Sequence, residues 1–348
     1  PPYSLGVFAM PYVSSFFSSL FPNFIFEEGG DVYLKNFIFL AFIAHILIMI
    51  LLYFSAKNKP VLYYSIAVTF ISYFYLQRFD VWPALVSLCA VLLFSSRRYT
   101  LSGLMLALGI GIKLYPIVFA PILFVLAMKQ GVGKRFSLGL IAGLLPIAIS
   151  GFFLPWWNFA QFHVARGLQV ESIYASFIWL GHHFGWVQAK WEHVTAWFEV
   201  TGRASASIVI WARSVFVVVM GISTVVAIRS ALRSSYSDLK SLNITDISRL
   251  LLIPLLGFVA FNQILSPQYL IWILPFSALS IKEKGYSVCI LILFAVAMTP
   301  FFYPTPEYFT HEGLNLFQTI ALVFRNVALV TAWFILVKEQ LRAVVMKS

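Results

Sequence analysis

Charged residues are scarce in this sequence: Asp, Glu, Lys and Arg together make up 11% of its 348 residues. A soluble domain carries about 25%, so this chain has too little charge to cover a water-facing surface. Hydrophobic residues make up 61%, and mean hydropathy is +0.88. Apolar runs of about 17 to 25 residues, long enough for a helix to cross a bilayer, recur throughout. The sequence therefore predicts one all-α polytopic membrane domain over residues 1–348.

Cysteines and metal-binding patterns are almost absent as well. The two cysteines, Cys89 and Cys289, fall inside apolar runs without metal-ligand spacing. Neither a disulfide framework nor a zinc site is therefore indicated. His182 and His183 are adjacent, so their rings cannot easily point at one ion. We expect no metal and no cofactor.

Acidic residues are also few, 13 against 24 basic residues, and the net charge is +11. In a membrane protein this excess marks cytoplasmic loops and does not indicate a nucleic-acid partner. Apolar runs between charged breaks predict about eleven membrane segments, with a cytoplasmic C-terminus because most Lys and Arg residues then lie inside. The predicted segments begin near Phe37, Val61, Trp82, Tyr99, Leu114, Ser137, Ile208, Leu251, Tyr269, Tyr286 and Leu316.

This topology places residues 1–36 and the long segment 155–206 on the non-cytoplasmic face of a multi-pass plasma-membrane protein. The long segment mixes many Trp residues with His, Arg and Glu, as is typical of the headgroup zone. Interfacial anchoring would explain that mixture. However, about fifty residues is far longer than a connection between helices requires. We therefore expect a functional site on this face, in contact with membrane lipids.

Two apolar segments are too short to cross the bilayer at 1.5 Å per residue. They cover residues 99–112 and 114–128, and we expect them to form a hairpin that turns around Lys113 and Pro116. A lysine at that depth is costly unless it faces water or an anion. A purely structural lysine would need an acidic partner, and acids are few on that face.

Other polar residues lie close to predicted membrane helices, and each has two interpretations. Asp80 is either a helix N-terminal cap or, with Arg78, part of a site at the same face as Lys113. Gln268 and Tyr269 bind a headgroup or sugar, or satisfy the backbone of a broken helix. For Arg325, we expect a structural pair with a buried polar group such as Asn326 or His45.

Four stretches resemble the bacterial polyprenyl-phosphate-mannose-dependent mannosyltransferases of glycosyltransferase family 87, and they follow one another along the chain in the right order. Arg78-Phe79-Asp80 before Trp82-Pro83, followed by Lys113-Leu114-Tyr115-Pro116, resembles the central block of that family. The stretch 166–172 resembles its long outer loop. The stretch 266–272 is similar both to this family and to the GPI mannosyltransferases. Pro1-Pro2-Tyr3 resembles a Tyr-Pro-Pro stretch of the first outer loop.

The resemblance implies a GT-C fold and a metal-independent, inverting sugar transfer on the non-cytoplasmic face. The donor would be a polyprenyl-phosphate sugar, most often mannose, and the acceptor a lipid-linked sugar or glycan. The family's catalytic base is an Asp shortly upstream of the Tyr-Pro-Pro stretch. No residue of this sequence matches it, so we expect that Asp and one further membrane helix upstream of Pro1.

Such a transfer needs a carboxylate to accept the proton of the acceptor hydroxyl and cations to hold the departing phosphate. Lys113 is the first candidate for the phosphate, and Arg78 and Arg166 are weaker ones. Asp80 and Glu171 are the best acids for sugar or acceptor hydroxyls, and Asp80 is a possible base. Further candidate substrate contacts are Tyr115, His163, Gln169, Gln268 and Tyr269.

A transporter or flippase for a lipid-linked anion is the main alternative. Such proteins carry repeated halves with broken helices at the bilayer midplane. No internal repeat is visible here, and the polar residues concentrate at one interface. A passive assembly subunit would explain the hydrophobicity but not this concentration.

Overall fold

The computed structural model describes most of the chain, and about 81% of the described residues are helical. The described ranges are 3–4, 6–10, 32–153, 166–194, 197–202, 205–233, 243–281, 286–303 and 313–345. The first seven helices are α1 Val32–Ala56, α2 Asn58–Phe70, α3 Ser72–Gln77, α4 Val81–Ser95, α5 Tyr99–Ile112, α6 Ala120–Lys129 and α7 Gly133–Ser150. They are followed by α8 Ile173–His183, α9 Ser205–Arg233, α10 Ile244–Phe261, α11 Leu270–Leu279, α12 Ser287–Met298 and α13 Leu316–Val345. Three 3-10 turns, Tyr115–Phe119, Pro267–Tyr269 and Thr299–Phe301, adjoin these helices.

Within the described ranges, five helices are long and apolar enough to cross a membrane: α1, α7, α9, α10 and α13. Among the others are four shorter apolar helical segments, Val81–Ser95, Tyr99–Ile112, Tyr115–Lys129 and Ser287–Phe301. This architecture agrees with the prediction of an all-α membrane protein. The predicted count of eleven membrane segments stays a prediction.

One element departs from the all-α expectation. Strands β1 Lys190–Val194 and β2 Trp197–Thr201 form an antiparallel hairpin inside the segment predicted to be a long outer loop. Trp191 pairs with Val200, and both side chains are buried. Glu192 and Glu199 form the adjacent pair. The alternating pattern of a half-buried strand therefore operates here over only five residues per strand, which makes it easy to miss in an apolar sequence.

The short segments behave as their length predicts. Helix α5 ends at Ile112, because Lys113 adopts an extended backbone conformation. The chain re-enters helical geometry through the 3-10 turn Tyr115–Phe119, with Pro116 near its start, and continues into α6. Helix α4 has about the same length as α5. The chain thus turns at Asp80 and again at Lys113 at the same end of this part of the bundle, where the two side chains meet.

Helices α5 and α7 pack backbone against backbone. A Cβ atom added to Gly139 would collide with the carbonyl oxygen of Thr100, and one added to Gly103 with that of Phe136. Glycine lets two helix backbones approach this closely, as is common where membrane helices associate. Helices α10 and α11 form the centre of the bundle, where nearly all of their residues are buried.

Candidate functional site

Asp80 is completely buried although it precedes helix α4 at the end of the bundle. Helix α4 lies entirely within the described residues, and the side chain of Asp80 makes no capping hydrogen bond to it. The interpretation of Asp80 as an N-terminal cap is therefore wrong. Its Oδ1 atom instead accepts hydrogen bonds from Lys113 Nζ at 2.5 Å and from Trp272 Nε1 at 2.7 Å. The Oδ2 atom is buried and accepts no hydrogen bond from the described residues.

Lys113 is thus ion-paired. Asp80 is the acidic partner that a structural lysine at this depth would need. Its ammonium also lies over the rings of Phe79 at 4.7 Å, Trp272 at 4.8 Å and Tyr269 at 5.5 Å from the centroids. Cation–π attraction grows when the cation is shielded from water. The Lys113 side chain is 17% exposed, whereas that of Asp80 is 0% exposed. The Lys113 side chain is therefore the more exposed member of the pair.

A stack of three aromatic rings supports this pair. Trp272 lies between Tyr115 and Tyr269, with ring centroids 4.2 Å and 4.1 Å away and interplanar angles of 6° and 21°. The three rings come from two 3-10 turns and the first turn of α11. Flat stacking on both faces fixes the indole plane, so its N–H is directed at Asp80. Trp272 was not among the predicted site residues, although it follows Tyr269 by one helical turn.

Arg166 is held next to the stack by a polar network. Its Nη2 donates to Gln169 Oε1 at 3.3 Å, and its guanidinium interacts electrostatically with Tyr269. Its carbonyl oxygen accepts from Gln263 Nε2 at 2.8 Å and from Arg213 Nη2 at 3.1 Å. Arg213 and Gln263 were missed in the sequence, because their role depends on contacts between distant segments.

The charges around Asp80 are mostly positive. Arg78 and Arg166 both lie close enough to act electrostatically on Lys113. Arg78 is exposed and interacts electrostatically with Tyr303. Burial lowers the pKa of the Arg166 guanidinium from its ordinary value, and Tyr269 and Glu199 counteract that shift. Three cations thus lie near the directly bonded carboxylate of Asp80, and the carboxylates of Glu171 and Glu199 stand further round the site.

Glu171 is the second buried carboxylate near the site, and its charge acts on Tyr269 and Tyr303. Its backbone carbonyl accepts hydrogen bonds from Arg325 Nη2 and, at 3.0 Å, from Asn326 Nδ2. Arg325 Nε also donates to Asn326 Oδ1 at 3.0 Å, so the predicted structural pair with Asn326 is confirmed. Helix α13 thereby anchors the segment that carries Gln169 and Glu171.

The structure brings together most of the predicted site residues: Arg78, Asp80, Lys113, Tyr115, Arg166, Gln169, Glu171 and Tyr269. We call this set, with Phe79 and Trp272, the Asp80 cluster. Gln268 is half-buried in the same 3-10 turn as Tyr269. His163 lies outside the described residues. Among the described residues, no group of three His, Cys, Asp or Glu side chains is placed to hold a metal ion.

Comparison with known proteins finds no matching protein-family model and no significant match among curated proteins. The chemistry of the Asp80 cluster is therefore the main indication of what this protein does.

Proposed function

We propose that this chain is a membrane glycosyltransferase that takes a sugar, most often mannose, from a polyprenyl-phosphate donor. The acceptor is a lipid-linked sugar or glycan. The protein has a GT-C fold with about eleven membrane segments in this chain. Its site faces the non-cytoplasmic side of the plasma membrane. The observation that carries the proposal is the Asp80–Lys113 ion pair, enclosed by aromatic rings and flanked by Arg78 and Arg166.

A buried ion pair is an expensive way to stabilise a membrane protein. Removing two charges from water costs several kcal/mol per ion, and apolar side chains of similar volume often stabilise a core equally well. Ionisable groups at membrane depth therefore favour a functional role. The Asp80 cluster combines such a pair with two further guanidinium groups, which exceeds what packing requires.

The composition of the cluster fits a phosphate-linked sugar. Arg78, Lys113 and Arg166 supply positive charge for a phosphate whose negative charge grows as the glycosidic bond breaks. Phe79, partly exposed beside Lys113, supplies an apolar surface of the kind on which the C–H faces of sugars pack. The apolar helices around the cluster suit the hydrocarbon tail of the donor.

The reaction has one bond-breaking and one bond-forming step at the same carbon. The acceptor hydroxyl oxygen attacks C1 of the sugar, the bond from C1 to the phosphate oxygen breaks, and the phosphate leaves with the electron pair. A carboxylate accepts the hydroxyl proton. Asp80 and Glu171 are the buried carboxylates of the described cluster, and Asp80 is the candidate base within it.

The main alternative, a flippase for a lipid-linked anion, would use the same cations. The sequence favours transfer chemistry, because no internal repeat is visible in it, whereas secondary transporters are built from repeated halves.

The two functions are separated by supplying labelled polyprenyl-phosphate mannose to membranes that contain the full-length protein. We expect labelled mannose to appear in a new glycolipid, and to be lost when Arg78 and Arg166 are both replaced by Gln. Movement of intact donor between leaflets of proteoliposomes, without any new product, would instead establish the flippase and overturn the transferase.

A further inference from the structure

Lys113 occupies an unusual electrostatic position in the Asp80 cluster. It is bonded to one carboxylate, while Arg78 and Arg166 act on it as like charges. Like charges weaken the hold of Asp80 on the ammonium, and Lys113 carries the partly exposed side chain of the pair. A new anion at this point would be attracted by all three cations at once.

Asp80, in contrast, has support that does not depend on Lys113. Trp272 donates to the same Oδ1 atom, and its ring is fixed between Tyr115 and Tyr269. Asp80 also stands at the N-terminus of α4, where the helix dipole favours a negative charge. The carboxylate can therefore stay in place when Lys113 turns away.

From this asymmetry we propose that Lys113 exchanges partners: it leaves Asp80 and binds a phosphate ester group that also contacts Arg78 and Arg166. The exchange frees a face of the Asp80 carboxylate, and Oδ2 has no hydrogen-bond donor among the described residues. The freed carboxylate then accepts a hydrogen bond from a hydroxyl of the bound ligand. The Asp80–Lys113 pair is thus the ligand-free form of an anion-binding site. The identification of the ligand as a lipid phosphate rests on the proposed function.

The exchange predicts a change in phosphate affinity for Asp80→Asn that is opposite in sign to the change predicted by a rigid ion pair. If Asp80 competes with phosphate for Lys113, Asp80→Asn tightens phosphate binding. If Asp80 only positions Lys113 for phosphate, the same substitution weakens binding. If the pair lies outside the anion site, binding does not change.

The probe is decyl phosphate, added to the purified full-length protein in detergent and measured by titration calorimetry. We expect Asp80→Asn to lower Kd about tenfold, which corresponds to 1.4 kcal/mol. Lys113→Gln raises Kd by at least the same factor. Glu339→Gln is the matched control, because it removes one carboxylate from the other described ion pair, with Arg249, and leaves the cluster intact. Its Kd stays at the wild-type value.

Inorganic phosphate and decanol serve as comparison ligands. Tighter binding of decyl phosphate than of inorganic phosphate identifies a lipid source, and equal binding identifies free phosphate. Decanol binds no tighter to Asp80→Asn than to the wild type. If Asp80→Asn does not fold, Trp272→Phe replaces it: loss of the indole donor makes Asp80 hold Lys113 more firmly, so Kd rises.

A higher or unchanged Kd in folded Asp80→Asn overturns the exchange. In the substitute experiment, an unchanged or lower Kd in Trp272→Phe does so. A wild-type protein that follows the expected binding pattern but transfers no sugar overturns the proposed function and leaves the exchange standing. If the wild-type protein transfers sugar but Asp80→Asn binds decyl phosphate more weakly, the exchange is overturned and the proposed function stands.

Discussion

The indole N–H of Trp272 reaches the carboxylate of Asp80 at 2.7 Å, although 192 positions separate the two residues in the chain. This bond links the first turn of α11 to the turn before α4. Because the acceptor oxygen is also bonded to Lys113, the position of the whole ion pair depends on how the indole is held.

Replacing Trp272 with Phe should keep a ring between Tyr115 and Tyr269 but remove the bond to Asp80. A hydrogen bond to a charged group contributes about 1.5–3 kcal/mol and one between neutral groups about 0.5–1.5 kcal/mol. We expect Trp272→Phe to lower the free energy of unfolding by about 1.5–3 kcal/mol, because the acceptor is charged. Denaturant unfolding in detergent measures it.

Trp333→Phe is the control, since its buried indole donates to the neutral hydroxyl of Ser223 at 2.9 Å. We expect Trp333→Phe to lower the free energy of unfolding by about 0.5–1.5 kcal/mol. Equal losses for the two tryptophans would contradict a charged acceptor at Asp80.

Lys113→Ala should reduce transfer efficiency about ten- to a hundredfold, because a charged hydrogen bond worth about 1.5–3 kcal/mol is removed from the site. Lys113→Arg should recover part of the activity, since the charge survives while its geometry changes. Transfer is measured at several donor concentrations, and gel filtration in detergent checks folding. Lys129→Ala removes a lysine that bonds the carbonyl oxygens of Ala231 and Leu232, far from the cluster, and should transfer normally. Unchanged kinetics in folded Lys113→Ala would remove Lys113 from the site.

Gly139→Ala should destabilise the protein, because the added methyl group meets the backbone of Thr100 on α5. Overpacking of this kind typically costs about 1–3 kcal/mol. Gly221→Ala in α9 is the control, since nothing lies within 4 Å of its added Cβ. Thermal unfolding in detergent should show a lower midpoint for Gly139→Ala alone. A midpoint equal to that of Gly221→Ala would mean that α5 and α7 are further apart.

The proposed sidedness is tested by cysteine labelling in intact cells with an impermeant reagent. Gln188→Cys lies in the segment expected outside, and Ser96→Cys lies in the turn between α4 and α5, expected inside; both positions are exposed. We expect labelling at residue 188 and none at 96 until the cells are opened. The parent protein, with Cys89 and Cys289, gives the background. The reverse pattern would refute the orientation and place the Asp80 cluster on the cytoplasmic face.

Local sequence features predicted the elements of the site better than their contacts. The lengths of the apolar runs and Pro116 located the turn after α5, because these features act within a few residues. Charge asymmetry grouped Arg78, Asp80 and Lys113 on one face, but it could not show that Lys113 and Asp80 are bonded.

The contacts between distant segments were beyond this reasoning. Trp272 appeared as one more aromatic residue in an apolar helix, and only the packing of α4, α11 and the 3-10 turn at Tyr115 directs it to Asp80. In contrast, the pair of Arg325 with its neighbour Asn326 was predictable. Their shared bond to the carbonyl oxygen of Glu171 was not, since backbone groups carry no residue-specific signal.

Asp80 and Lys113 stand at the two ends of one helical hairpin, α4 and α5, joined by the short turn that contains Arg97. In the proposed orientation, both charges must pass through the hydrocarbon layer while the nascent chain is inserted. Each alone would oppose insertion by about 2.5–3.5 kcal/mol at the centre of the bilayer. If the hairpin leaves the translocon as one unit, the two residues cross as a neutral pair, and neither helix has to be inserted against an unpaired charge.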